Sequence, residues 1–398
     1  MIASPTSSSR LPLAVYALTI GAFGIGTTEF IIMGLLVQVA ADMQVTLPQA
    51  GWLISAYALG VFVGAPLLTL ATRRLPHKIT LMALMLIFTL GNLACALAPA
   101  YGWLLAARVL TSLAHGTYFG VGSVVATQLV APDKQAQAIA LMFTGLTVAT
   151  LLGVPAGAWL GLQYGWRATF WAVTAIGVLA TLVVLALVPR TQADTGPSRI
   201  RDEVRQVLRA PVLLGLLITV LGFGGLFVVQ TYIQPILMQV SGFAESAVSP
   251  ILLLFGVGMV IGGLLGGQLA DRGVTRALLL SLLALAAVLA LMTPALPHRV
   301  PAAAFSLLLG AAAFATVPAL QMWVLQRAGS AQSLASSLNI GAFNLGNAIG
   351  AWLGGAVIAQ GLGLQKLPLV AAALPLLALG VAVWAHKRET PSTCPDAG

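Results

Sequence analysis

Two formally charged residues, Glu29 and Arg108, stand well inside apolar stretches of this 398-residue sequence, and His115 follows seven residues after the second. Left ionised at the centre of a membrane helix, each would cost about 2.5–3.5 kcal/mol on insertion scales, so such residues face a cavity or a partner. At about 1.5 Å of rise per residue, Glu29 lies roughly 13 Å from the end of its helix near Gln38, and Arg108 roughly 9 Å from the start of its helix near Gly102. Those depths suit a pair or a water-bridged pair. Burial disfavours the charged form of a carboxyl, and a guanidinium alongside favours it. The two effects oppose each other, which makes Glu29 a switchable proton carrier: a proton moving down its gradient exchanges for a solute moving out. A static ion pair between two helices is the other reading, and the residues leave both open.

Thr111, Ser112, His115 and Phe119 follow Arg108 at i+3, i+4, i+7 and i+11, one face of a helix that is expected to line water. An imidazole titrates near neutrality, so His115 could relay a proton or bond a solute, or it could pack as a neutral ring against a neighbouring helix. The second half of the chain has no formal charge inside its apolar stretches. It offers Tyr232, Gln234 and Gln321 as neutral candidates for solute contact, although bonding between helices is the ordinary use of such side chains. Asn339, Phe343, Asn347, Gly350 and Gly354 share one helical face, where close packing is expected. Four scattered histidines (His77, His115, His298, His386) form no metal-site spacing, and no metal is expected. Cys95 and Cys394 suggest no redox chemistry.

The elements that must position these groups follow from composition. With 59% apolar and 7% charged residues, against roughly 45–50% and about 25% in soluble domains, a soluble fold is excluded. The charge-poor stretches leave room for about twelve spans of about 20 residues and no large soluble domain. The spans are expected at about 13–38, 50–71, 79–98, 102–127, 138–161, 167–188, 212–237, 248–270, 277–296, 302–325, 334–360 and 367–386. Alternate loops hold fifteen Lys and Arg on one side (from Arg10 to Arg388) and three on the other (Arg167, Arg299, Lys366). By the positive-inside rule both termini are cytoplasmic, and Trp52, Trp103, Trp159 and Trp166 fall near outer helix ends, as an interfacial belt would. The net charge of +9 is then topological and does not point to nucleic acid. The first helix is read as uncleaved.

Residues 189–210 form the longest polar segment, with basic residues Arg199, Arg201, Arg205 and Arg209 able to lie on an anionic leaflet or simply to remain solvated. This linker separates a first six-helix bundle, 1–188, from a second, 211–398. A shift of 198 residues places Gly60 and Gly64 on Gly258 and Gly262, which suggests duplication, a known way to build a transporter with its site between halves. Glycines four apart recur in the second, fifth, eighth and eleventh spans and permit close helix approach, which would suit a smooth contact between the halves or ordinary tight packing. No GxxxxGK[ST] loop occurs, so an ATP-driven pump is disfavoured; a membrane-embedded enzyme or receptor would need a catalytic constellation or an added ligand-reading domain, and neither is found.

The runs Gly21 to Phe30, Arg108 to Gly116, Gly145 to Gly157 and Ser336 to Asn347 resemble the major facilitator superfamily, most closely its drug:proton antiporter branch of bacterial sugar-efflux and purine-ribonucleoside-efflux proteins. The resemblance implies an all-α membrane protein of twelve transmembrane helices in two pseudo-symmetric six-helix bundles, with the first, fourth, seventh and tenth helices lining a central cavity. It implies a secondary transporter of the bacterial inner membrane, exporting a drug, sugar or nucleoside by alternating access, with the proton as coupling ion, no cofactor and a monomer as the default. A facilitator or an importer of the same fold is the alternative. By resemblance, Arg108 matches the fourth-helix arginine linked to proton transfer, and Gly145, Gly153, Pro155 and Gly157 match the fifth-helix antiporter motif. Gly267, Asp271 and Arg272 match a cytoplasmic gating motif. Its first-half copy keeps Arg73, Arg74 and Lys78 but has Thr72 or Arg73 where the acid is expected.

Overall fold

The computed structural model describes residues 12–72, 74–131, 135–190, 200–329 and 331–389. Arg10, Arg73, Lys134, Arg199 and Cys394 lie outside them. Among the described residues, twelve helices are long and apolar enough to cross a membrane, from Leu13–Gly34 to Leu364–Arg388. They form two six-helix bundles, in which the spans begin and end within four residues of the expected limits, except that the seventh ends at Gln230. The described chain therefore starts and finishes at one end of the molecule, here the near end. The turns at 43–46, 97–100 and 241–244 mark the far end. Gly165, at φ 87°, makes one tight far-end turn that a side chain would strain.

Three spans are not the continuous helices expected. The first is α-helical over Leu13–Phe30, tightens to a 3₁₀ turn over Ile31–Gly34 and resumes as Leu36–Asp42. The fifth widens to a π turn over Ala149–Gly153, just ahead of Pro155. Proline has no N–H to return to the carbonyl four residues back, and its ring crowds that carbonyl. The seventh stops at Gln230 and restarts as Ile233–Pro235, because Pro235 cannot supply the bond that Thr231 would accept. Short 3₁₀ and π turns of this kind mark hinges and functional sites.

The glycine ladders lie inside the halves, not between them. A Cβ at Gly145, Gly153, Gly157 or Gly161 would strike Thr19, Thr27, Ile31 or Leu35 of the first span, two rows stepping in register along two helices. In the second half, Gly346, Gly350 and Gly354 of the eleventh span meet Val220, Gly224 and Val228 of the seventh in the same way. Gly60 and Gly64 press on the fourth span at Val109 and Leu113, while Gly258 and Gly262 press on the tenth at Leu307 and Ala311. The expectation of a smooth glycine contact between halves is corrected accordingly: small residues let backbones touch, and here they consolidate each bundle.

The seam between halves is built from other residues, several of them toward the far end. Tyr232 buries its ring against Gly51 and Gly354, and its hydroxyl donates to the Ala351 carbonyl. Ser55 donates to the carbonyl of Ala348 across the seam, and Gly34 meets Leu252. Gln234 accepts from the Val37 amide and donates to Gln38 Oε1, while the Gln38 amide nitrogen donates to Glu245. At the far surface, Trp52, Trp103 and Trp159 are exposed as a belt would be. Trp166 is not; it is buried and donates to Asp42 at 3.0 Å beneath Arg167.

Candidate functional site

The break in the first helix explains the placement of Arg108. A helix end leaves its last carbonyls without intrahelical donors, and it carries partial negative charge. The turn that follows Phe30 frees the carbonyls of Thr28 and Glu29. The Arg108 guanidinium, fully buried in the fourth span, donates to them at 2.7 and 3.4 Å and to the Leu53 carbonyl of the second span at 3.4 Å. Its remaining face lies over the Tyr57 ring, 4.3 Å from the centroid, a cation–π contact that matters more without water. Arg108 is thus a cap on a broken helix, tying three spans together.

Of the pair or water-bridged pair expected of Glu29 and Arg108, the structure shows no direct ion pair: the guanidinium is engaged by backbone and aromatic ring. The Glu29 carboxylate instead lies 4.0 Å from Nδ1 of His115, whose same nitrogen is 3.4 Å from the Tyr57 hydroxyl. Four ångströms is beyond direct hydrogen-bond reach, and a small rotation closes it. The His115 ring rests against Phe119, centroids 5.3 Å apart, and Phe119 stacks on Phe143 at 5.0 Å. A carboxyl, an imidazole and a phenol, each less than a tenth exposed, therefore meet at the break in the first span.

Tyr57 was missed by reading charges alone. Its signal was available: it is the sole ionisable side chain in the span Leu47–Leu68, at mid-depth. Thr28 was also missed; its hydroxyl donates to Asn92 of the third span at 2.6 Å and so anchors the residue before Glu29.

The other expected contacts are scattered. Of the stripe after Arg108, Phe119 joins the cluster. Thr111 donates to its own helix at Ala107 and faces Gly91 of the third span, and Ser112 donates to Val109 and faces Gly60 of the second. Tyr232 and Gln234 belong to the far-end seam. Gln321 accepts from the Asn339 amide at 2.7 Å and donates to Ser336 at 2.8 Å, while Thr219 donates to Asn339. In this conformation these side chains are engaged in packing. Among the motif residues, Gly145, Gly153 and Gly157 form the ladder on the first span, and Pro155 accompanies its π turn. At the near end, Gly267, Asp271 and Arg272 close the eighth span, Arg74 is exposed, and Lys78 donates at 2.7 Å to the Leu185 carbonyl, capping the sixth.

Opposite Glu29, the second half presents aromatic rings. Phe30 approaches Phe227 across the seam with centroids 6.1 Å apart, and Phe223 lies edge-on to Phe314 and Phe343 at 5.7 and 5.0 Å. At the far-end rim, the ion pair of Asp42 and Arg167, 2.6 Å apart, holds the end of the first span to the sixth. Bonds from Arg167 and then Trp166 hold the Asp42 carboxyl below the usual carboxylate range.

A family model described as Major Facilitator Superfamily matches residues 18–339. The inner membrane transport protein YdhP of Escherichia coli (strain K12) is 47% identical over 386 residues, covering 97% of this chain and 99% of its own. A chloramphenicol resistance protein of Streptomyces lividans is 35% identical over 348 residues, 85% of this chain and 88% of its own. Among solved structures, a D-xylose–proton symporter superposes with a TM-score of 0.75 at 15% identity, covering 93% of this chain and 96% of that one. A bacterial homologue of the human lysosomal transporter Spinster, in an inward-facing and unoccupied conformation, superposes with a TM-score of 0.71 at 18% identity, covering 94% and 96%. At such identities the superpositions speak for the fold alone.

Proposed function

The chain belongs to the major facilitator superfamily and is a multi-pass membrane transporter of a small solute, and from that premise we propose that it exports an organic solute in exchange for protons. The observation that carries this reading is the Glu29 carboxyl, buried at a helix break, with His115 and Tyr57 close by and the neighbouring guanidinium committed to backbone carbonyls. A carboxyl so placed can change its protonation without dismantling an ion pair. Arg108 stays fixed through the cycle as the clasp on the hinge. Glu29 exchanges the proton, and His115, able to swing onto it or onto Tyr57, reports that exchange to the phenol.

In this reading the far end is the outer side of a bacterial inner membrane and both termini are cytoplasmic, in keeping with the fifteen-to-three distribution of Lys and Arg. The seam through Tyr232, Gln234 and Gln38 then closes the outer side, and solute enters from the cytoplasm. Release of the Glu29 proton inward accompanies solute binding. After the halves rock, reprotonation from outside favours solute release. Chloramphenicol, named for one relative, joins cations, sugars and nucleosides as a candidate.

The test adds these compounds to purified protein in weakly buffered detergent and follows proton release, wild type beside Glu29→Gln. Release provoked by one compound and lost in the folded variant supports coupling at Glu29. Binding with equal proton stoichiometry in both forms would overturn it in favour of a static carboxyl in an uncoupled facilitator.

A further inference from the structure

In the eleventh span, three contacts fix which way each face points. Gly341 meets Phe62 and the Ala348 carbonyl accepts from Ser55, so that side faces the second span. Gly346, Gly350 and Gly354 meet the seventh span, and Ile349 and Trp352 are exposed on the outer side. At about 100° per residue, Asn344 and Asn347 fall on the remaining face, directed between the second and seventh spans toward the first. In the seventh span, Phe223, Phe227 and Gln230 follow one another at i, i+4 and i+7, and Phe227 reaches Phe30 of the first span, so Gln230 shares the face that looks across the seam.

These three amides have an unusual common property. Gln230 Oε1, Asn344 Oδ1 and Asn347 Oδ1 are buried acceptors without a hydrogen-bond partner, in side chains of residues 5%, 4% and 3% exposed. The Asn344 nitrogen donates to the Ile340 carbonyl at 3.0 Å, which orients its oxygen as the free end. Buried acceptors are normally paired, and leaving one unpaired is costly. Phe343 adjoins Asn344 in the eleventh span, and Phe223 lies edge-on to it and to Phe314, an arrangement that keeps ring faces available to a further flat group. The nearby Tyr232, Gln234 and Gln321 have their polar atoms engaged already.

We infer that the second half carries the solute-recognition site, formed by Gln230, Asn344, Asn347, Phe223, Phe314 and Phe343, and that its ligand is an aromatic solute bearing N–H or O–H donors. The rings take the flat body and the three carbonyl oxygens accept the donors. Because these contacts are neutral, the aromatic body and the donors, rather than a positive charge, select the solute. The inference rests on transport through the space between the halves, but not on Glu29 being the coupling group.

The experiment measures binding of aromatic amides, nucleosides and phenyl glycosides by calorimetry, each beside its O,N-permethylated analogue, with xylose as a donor lacking an aromatic ring. The variants are Asn344→Leu and Asn347→Leu, which keep side-chain shape and remove the acceptor. The donor-bearing aromatic that binds wild type is expected to lose roughly threefold to tenfold in affinity per amide, with its permethylated analogue unchanged. Melting temperature stays equal or rises, whereas a packing role for the amides would lower it. Unaltered binding in both variants overturns the inference, as does xylose binding as tightly as the aromatics. So does the failure of every donor-bearing aromatic to bind wild type below about 1 mM. Proton release measured on the same samples separates the two readings: loss of release in Glu29→Gln with intact Asn variants sinks only the recognition site, and the converse sinks only the coupling site.

Discussion

Where the fourth span sets Arg108 against the second span, the tenth sets Ser306 against the eighth. The glycine contacts establish the correspondence, for Gly60 over Val109 and Gly64 over Leu113 repeat as Gly258 over Leu307 and Gly262 over Ala311. By the same alignment Tyr57 answers to Phe255, His115 to Ala313 and Glu29 to Phe227, all buried. Ser306 merely donates to its own helix at Ala302. One packing scheme therefore holds an acid, a base and a guanidinium in one half and none of them in the other. Helix packing and buried charge are separable here: the ladders build the bundle, and the charged groups are carried on one copy of it.

The substitution expected to break this contrast most severely is Glu29→Gln, which removes the acid among the three groups with no counterpart. Solute efflux driven by a pH gradient in proteoliposomes should fall roughly 100-fold or more, and unchanged efflux would return the first half to a purely structural role. Next comes Arg108→Met beside Ser306→Ala. The first leaves two helix-end carbonyls buried without donors and should cost roughly 2–4 kcal/mol of stability in detergent. The second should stay within about 0.5 kcal/mol, and equal costs would refute the capping role.

Gly350→Ala and Gly153→Ala sharpen the comparison. Both overfill a ladder, at roughly 1–3 kcal/mol. The first should cost more, since its new methyl meets the Gly224 carbonyl, which cannot move aside, whereas at Gly153 it meets the rotatable Thr27 hydroxyl. Thermal melting of the pair decides. The smallest effect belongs to Asp42. Its folded carboxyl titrates lower than the unfolded one, so the pair's stabilisation is present above the unfolded value near about 4 and is lost as pH falls through the folded one. With both side chains more than a third exposed, screening leaves a few tenths of a kcal/mol at about neutral pH. Asp42→Asn should remove that acid-limb dependence in a melting series and change little at neutrality.

Most of this architecture was legible in the chain because a bilayer makes span lengths and loop charges explicit. Glu29, Arg108 and His115 stood out for the same reason. What composition does not encode is direction around a helix axis. Thr111 and Ser112 follow Arg108 with suitable spacing, yet they turn toward glycines of neighbouring spans, and Tyr232 closes a seam because Gly51 and Gly354 make room for its ring. The break after Phe30 has no proline to announce it. It is fixed from outside by Arg108, about eighty positions along the chain, and only three-dimensional contact reveals it.

That clasp also sets an order of assembly. Every acceptor of Arg108, the carbonyls of Thr28, Glu29 and Leu53 and the ring of Tyr57, lies in the first two spans. Chains emerge from the ribosome N-terminus first, and domains fold as they are made. When the fourth span enters the bilayer, the two spans that carry all of its acceptors have already been made, and its residence in lipid without partners is short. A circular permutation that made the fourth span precede the first would deliver the charge before its receptors, and membrane insertion, rather than transport, would be the step to suffer.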